Sequence, residues 1–306
     1  MTFDFPVYTR WLLWFLLFNE GKLGIVADAK HMFPGENHSS AILFRQAFLY
    51  TLRQIESAEV IAEPFPHLVV DDVFHPSLFA QLRAYTLPLK VADTEDPSSE
   101  AHTKPHSTEA LRFSARFTAR APHLQPHGDI IDVDKLQASS RFWRNFAHAF
   151  FRNELVQAFS SKFDSLKRRF TFDTDVPSGF SWTGDLTVDR SGYSIGPHPD
   201  SLNKALTTIY YISGNKRTSS DLATQLYTPK ESFPALKLQK LVNNTGHGSV
   251  HDFNRVDTVD FRPNRLLAFA PCISSWHGVE RTQESRNTLQ VFLRDTHKTV
   301  SPKLAC

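Results

Sequence analysis

From Gly179 onward the chain changes character, and that change limits what it can fold into. Before it, apolar residues recur at helical intervals. Phe142, Phe146 and Phe150, then Leu155, Phe159, Phe163 and Leu166, are spaced mostly three and four apart, the repeat of helices with one buried face. After it, Leu206–Ile212 (Leu-Thr-Thr-Ile-Tyr-Tyr-Ile) is dense in β-branched and aromatic residues, the composition of strands. Gln225-Leu226-Tyr227, Leu266–Ala270 and Thr288–Leu293 read the same way, with loops rich in Ser, Asn, Gly and Pro between them. Helices first, then many strands with no helix among them, predicts an antiparallel sandwich or jelly roll with a helical face.

Residues 1–61 read as a mainly helical extension. Ser39 and Ser40 are placed to cap a segment whose Ile42, Leu43, Ala47, Phe48, Leu52 and Ile55 follow a helical period. The apolar run Trp11–Phe18 is eight residues long, against the roughly 20 that a membrane span needs. Asp4 upstream and Arg10 as the one positive charge before the run argue against a secretory leader. A buried helix or a membrane-surface contact is the expectation. At Pro64-Phe65-Pro66 a second unit is expected to begin, over 62–306. Leu68-Val69-Val70 is a short strand, and Pro76 suits the first position of a helix carrying Leu78, Leu82 and Tyr85. Residues 91–109, with His102 and His106, form a polar stretch without periodicity. It reads as a loop, with a lid over a site as the alternative.

Composition narrows the function classes. With 306 residues and 41% apolar side chains, the chain can build a sizeable core. A net charge of +2 supplies no general field for nucleic acid, and none is expected as a partner. The two cysteines, 272 and 306, form neither a disulfide framework nor a Cys-x-x-Cys site, so a reducing, cytoplasmic location is the expectation. There is no P-loop and no G-x-G-x-x-G motif.

Chemistry gathers at a few positions. His198 and Asp200 lie one residue apart in Gly192–Asp200, so on an extended strand they share a face and can grip one ion. His277, in Trp276-His277-Gly278-Val279, follows the strand at 266–270 and can complete the set. Two His and one carboxylate, with other coordination positions open, is the facial triad of non-haem Fe(II) oxygenases. Nine positions on, Arg286 shares one face of the last strand with Thr288 and Gln290, while Leu289, Val291 and Leu293 share the other. A buried Arg requires an anion, and its planar fork suits a carboxylate. Rival clusters are weaker. His247, His251 and Asp252 follow Asn243-Asn244-Thr245-Gly246, which disfavours the helix that would align them. They read as a loop at a site rim. His123 and His127 sit among prolines.

Ser191–Ile212, the Trp276–Val279 block and Arg286-x-Thr288 together resemble the iron- and 2-oxoglutarate-dependent oxygenase superfamily, in its prolyl-hydroxylase-like subgroup, over roughly Pro64 to Asp295. The resemblance implies an α+β chain whose core is a double-stranded β-helix (jelly roll) at about 180–295, supported by N-terminal helices. It implies Fe(II) on His198, Asp200 and His277, and 2-oxoglutarate held by Arg286, with Tyr211 and Thr288 as further contacts. With O2 as co-reactant it implies oxidative decarboxylation to succinate and CO2 coupled to hydroxylation of a small-molecule or peptidyl substrate. Desaturation and cyclisation stay open; halogenation is disfavoured, because halogenating members lack the carboxylate that Asp200 provides. A non-catalytic binding module on the same fold is the alternative. A cupin is disfavoured by the missing H-x-H near 198. One departure from the family is Leu222-Ala223-Thr224, where a Gly-containing turn is usual. Loops 91–109, 213–224 and 243–257 are expected to set the substrate, with Lys204, Lys216 and Arg217 as cations near the mouth.

Overall fold

Strands dominate the second half of the chain, and they alternate between two antiparallel sheets. The computed structural model describes residues 38–86, 111–118, 125–127, 133–169, 180–201, 203–214, 219–244 and 246–295. Trp11–Phe18, the 91–109 loop, Lys216, Arg217 and His123 lie outside them. The larger sheet has the order β1 (His67–Val70), β9 (Arg265–Phe269), β6 (Lys204–Gly214), β11 (Arg286–Asp295), β4 (Phe180–Asp189), β2 (Arg112–Thr118), β3 (Gln125–His127). The smaller has the order β5 (Ile195–His198), β10 (His277–Val279), β7 (Ser219–Pro229), β8 (Phe253–Phe261). From β4 onward the chain crosses repeatedly from one sheet to the other, and only β7 and β8 are successive neighbours in one sheet. That is the jelly-roll winding expected from the β-rich half.

Three layers result. Between the sheets lie Ile209, Tyr211, Leu222, Leu226, Val259, Phe261, Leu267 and Phe269. On the other face of the larger sheet, Leu186, Val188, Leu206, Tyr210, Leu266, Leu289, Val291 and Leu293 pack in one cluster with Phe74, Trp143, Phe146 and Phe150. The helical layer consists of α1 (His38–Ser57), α2 (Pro76–Ala84), α3 (Val133–Phe150), α4 (Asn153–Ser160) and α5 (Asp164–Lys167). Phe44, Ala47, Phe48 and Ile55 of α1 belong to the same core, and Thr51 donates a hydrogen bond to the Val73 carbonyl at 2.9 Å. Asn264, at φ 68° in the turn between β8 and β9, a conformation Asn tolerates, pins the chain ahead of α2. Its side chain accepts from the Phe74 N–H and donates to the Phe74 carbonyl, both at 2.9 Å.

The aromatic stripe from Phe142 to Leu166 is carried by three helices, broken at Phe151-Arg152 and at Ser161–Phe163. The structure departs from the sequence expectations in three places. A helix, α6 (Ala235–Asn244), does intervene among the strands, and it ends at the Asn pair that argued against helix further on. Its Leu238 and Leu241 pack on Tyr227, Phe253 and Trp276. Leu222-Ala223-Thr224 is part of β7 and not a turn. Cys272 is disulfide-bonded, so the cysteine count no longer argues for a reducing compartment; Cys306 lies outside the described residues. No described helix is long and apolar enough to cross a membrane.

Phe146 is the centre of the aromatic packing: it stacks on Phe150 at 4.5 Å and meets Trp143, Phe74 and Phe117 edge-on. Phe146→Ala is expected to destabilise the fold by about 3–5 kcal/mol, read as a lowered midpoint in urea unfolding.

Candidate metal centre

The strands β5 and β10 bring the centre together. His198 and His277 are direct cross-strand partners, and their rings lie 4.4 Å apart between centroids. Asp200 follows β5 by two residues. Ligand atoms of His198, Asp200 and His277 all lie within 4.8 Å of one another, a span that one ion can bridge. Glycines permit this approach. A Cβ on Gly278 would meet the Ile195 carbonyl oxygen at 2.6 Å, and one on Gly196 would meet that of Gly248 at 2.5 Å.

Each ring is oriented from behind. His198 Nδ1 hydrogen-bonds the Gly196 carbonyl and His277 Nδ1 the Ser275 carbonyl, both at 3.0 Å. Nδ1–H donates in each case, which leaves the Nε2 lone pair for a metal. Ser275 is itself fixed, its hydroxyl accepting from the Cys272 N–H and donating to the Cys272 carbonyl. The Asp200 carboxylate accepts from Lys204 Nζ and from Thr207 Oγ1, each at 2.5 Å.

The electrostatics suit a cation. Burial, reinforced by the neighbouring His277, holds the His198 imidazole well below its ordinary value, so it stays neutral and able to ligate. Burial alone would raise the Asp200 carboxyl, but the Lys204 ammonium, through its charge and its hydrogen bond, favours the ionised form, and the carboxyl lies below its ordinary value.

These residues open into a cavity of about 290 Å³. Arg286, Arg112, Thr224, Gln290 and Phe292 line it together with His198, Asp200 and His277. Arg286 is 2% exposed. Its Nε donates to Asp189 Oδ2 at 3.0 Å and its Nη1 to the Leu222 carbonyl. The anion that its burial required is therefore Asp189, which Arg112 also grips through two hydrogen bonds of 2.6 and 2.9 Å.

Tyr211 and Thr288 stand one step back from the cavity wall. The Tyr211 hydroxyl donates to Thr224 Oγ1 at 2.7 Å, and it is Thr224 that lines the cavity. Thr288 Oγ1 hydrogen-bonds Thr187 Oγ1 across β4 and β11. Lys204 is not a free cation at the mouth, since its amine sits on Asp200 and 3.7 Å from the Phe292 ring centroid. Of the rival cluster, only His247 reaches the cavity, at its rim, its ring 5.0 Å from that of His198.

Arg112, Asp189, Thr207 and Thr224 went unrecognised in the sequence. A signal existed for Asp189: Thr183, Asp185, Thr187 and Asp189 alternate with Trp182, Leu186 and Val188 around Gly184, the mark of a strand with one polar face.

No family model matches the sequence, and no curated protein does. Solved structures with a detectable likeness include a 2OG-Fe(II) oxygenase family oxidoreductase from Burkholderia pseudomallei, 9% identical over 84% of this chain and 94% of that one, at a TM-score of 0.37. HygX from Streptomyces hygroscopicus, with nickel and 2-oxoglutarate bound, is 12% identical over 76% of this chain and 84% of that one, at 0.39. A prolyl hydroxylase from Trichoplax adhaerens, in complex with a hypoxia inducible factor oxygen degradation domain peptide fragment, is 12% identical over 85% and 94%, at 0.35.

Two outcomes are expected. Gly278→Ala pushes β5 from β10 and separates the histidines, so Mn(II) affinity measured by calorimetry falls while the far-ultraviolet circular dichroism is unchanged. The second concerns Asp189. Burial alone would raise its carboxyl, but Arg112 and Arg286 outweigh burial and hold it below the usual value. A depressed carboxyl contributes stability that is present above its unfolded value, about 3.9, and is lost as pH falls through the folded one. Asp189→Asn is expected to cost about 3–5 kcal/mol at neutral pH by leaving two guanidiniums against a neutral amide. Its loss of stability below about pH 4 is expected to be shallower than the wild type's in urea unfolding.

Proposed function

We propose that the chain is an Fe(II)- and 2-oxoglutarate-dependent dioxygenase that hydroxylates an unactivated C–H bond of a small molecule or a peptidyl side chain. The observation that carries this is the cross-strand pair His198 and His277, each tied off at Nδ1 by a backbone carbonyl, with Asp200 beside them in one cavity with a buried arginine. Two imidazoles and one carboxylate, all pre-oriented, match the donor set of non-haem iron.

In this reading His198, Asp200 and His277 hold the metal. Bound Fe(II), with 2-oxoglutarate and O2, would supply oxidative decarboxylation to succinate and CO2 and the oxidising power for the C–H bond. The chain's own residues position and shield. Thr207 and Lys204 fix the carboxylate plane of Asp200. Arg286 and Thr224, which line the cavity, would receive the distal carboxylate of 2-oxoglutarate, with Tyr211 orienting the Thr224 hydroxyl. Ile195, Ile209, Val279 and Phe292 make part of the wall apolar, which limits water near the reacting atoms. Asp200 fills the position that halogenating relatives of this family leave to chloride.

Succinate formation from 2-oxoglutarate by Fe(II)-loaded protein is the direct test. The wild type is expected to form succinate and His198→Ala to fall to background. Binding of Fe(II) and 2-oxoglutarate with no succinate under any substrate would support a non-catalytic binding module instead. No metal binding at all would remove both.

A further inference from the structure

We infer that Arg112 and Asp189 belong to the 2-oxoglutarate site, as positioning residues for its distal carboxylate. The inference rests on the cosubstrate reading above and extends it to a strand outside the eight that make the jelly roll. Arg112, Asp189 and Arg286 stand in one row across β2, β4 and β11: Asp189 is the register partner of Arg112 on one side and of Arg286 on the other. Asp189 has no exposure at all, and its two oxygens take three hydrogen bonds from the two guanidiniums.

Charge supports this. Two arginines and one aspartate carry a net +1 at the cavity wall, which one carboxylate neutralises. The other described cation of the cavity, Lys204, already sits on Asp200. Geometry supports it as well. Asp189 takes Arg286 by Nε, and the Leu222 carbonyl takes Nη1. Nη2 makes no hydrogen bond to any described residue. Arg286 therefore meets a ligand with part of its fork already occupied, and its orientation is set by Asp189. Asp189 is in turn held by Arg112 through a two-point contact. Arg112 is braced by the Tyr193 ring, 4.3 Å from its guanidinium carbon, and itself lines the cavity. A preorganised pair of guanidiniums recognises a carboxylate better than one mobile arginine, because its orientation is fixed before the ligand arrives.

The test compares two 2-oxo acids on Mn(II)-loaded protein by calorimetry without O2. 2-Oxoglutarate has the distal carboxylate; 2-oxobutanoate lacks it and keeps the metal-chelating end. Arg112→Gln and Asp189→Asn are each expected to weaken 2-oxoglutarate about tenfold or more, with 2-oxobutanoate and Mn(II) affinities unchanged. Arg112→Lys, which keeps the charge but not the fork, is expected to recover part of the loss. Equal weakening of both acids, or unaltered 2-oxoglutarate affinity in Arg112→Gln, overturns the inference: the row would then only hold β2 to β4. Arg112→Gln serves if Asp189→Asn does not fold. A wild type that binds Mn(II) but neither acid rejects the cosubstrate reading itself, a distinct result.

Discussion

The pairing of β5 with β10 is the contact on which the rest of the site depends. It places one histidine on each of two adjacent strands at the same level, so their separation is set by strand spacing and not by loop conformation. Gly196 and Gly278 keep the strands and the 246–250 segment close enough for this, since a Cβ at either would collide with a backbone carbonyl. Backbone carbonyls two residues upstream of each histidine then select the tautomer. The two histidines are oriented by main chain that the fold already fixes, which would leave little entropy to lose on binding an ion.

A second constraint is the double character of the larger sheet. One face of β11 packs Leu289, Val291 and Leu293 on the helices, and the other turns Arg286, Gln290 and Phe292 to the cavity. The helical layer, through Phe74, Trp143, Phe146 and Phe150, gives that sheet a rigid back. The buried charges can then be held in one register row. Removing Asp189 from the row would expose the general difficulty of buried ions, which are tolerable only while partnered.

Much of this was legible from residue patterns, for stated reasons. The β-branched density at 206–212 and the two faces of 286–293 are short-range signals, and the structure realises both. His198-x-Asp200 was readable because a period of two needs no tertiary knowledge, and His277 because it comes a few residues after a strand. What stayed hidden depends on distance in sequence. Asp189 meets Arg112 and Arg286 from 77 and 97 residues away, and no local pattern encodes such a meeting. Tyr211 and Thr288 were placed on the correct strands, yet their hydroxyls go to Thr224 and Thr187 and not to the cavity. Periodicity gives the face of a side chain but not which neighbour reaches further. Helix α6 escaped because it is short and amphipathic, covering only the small cluster around Trp276.

On the proposed reading, the cross-strand histidines also bear on when the protein would acquire a metal. His198 and His277 are 79 residues apart in the chain, and between them lie β6, β7, β8 and β9. Their meeting is a contact of high sequence separation, of the kind that carries a large loop-closure cost. An unfolded chain offers a divalent ion His198 and Asp200 together, but not His277 with them. Ion capture would therefore report that β10 has paired with β5, and by mass action it would stabilise that pairing. A chain stalled before that pairing would carry the same three residues without the complete set in one place, so on the proposed reading metal content would gauge correct folding.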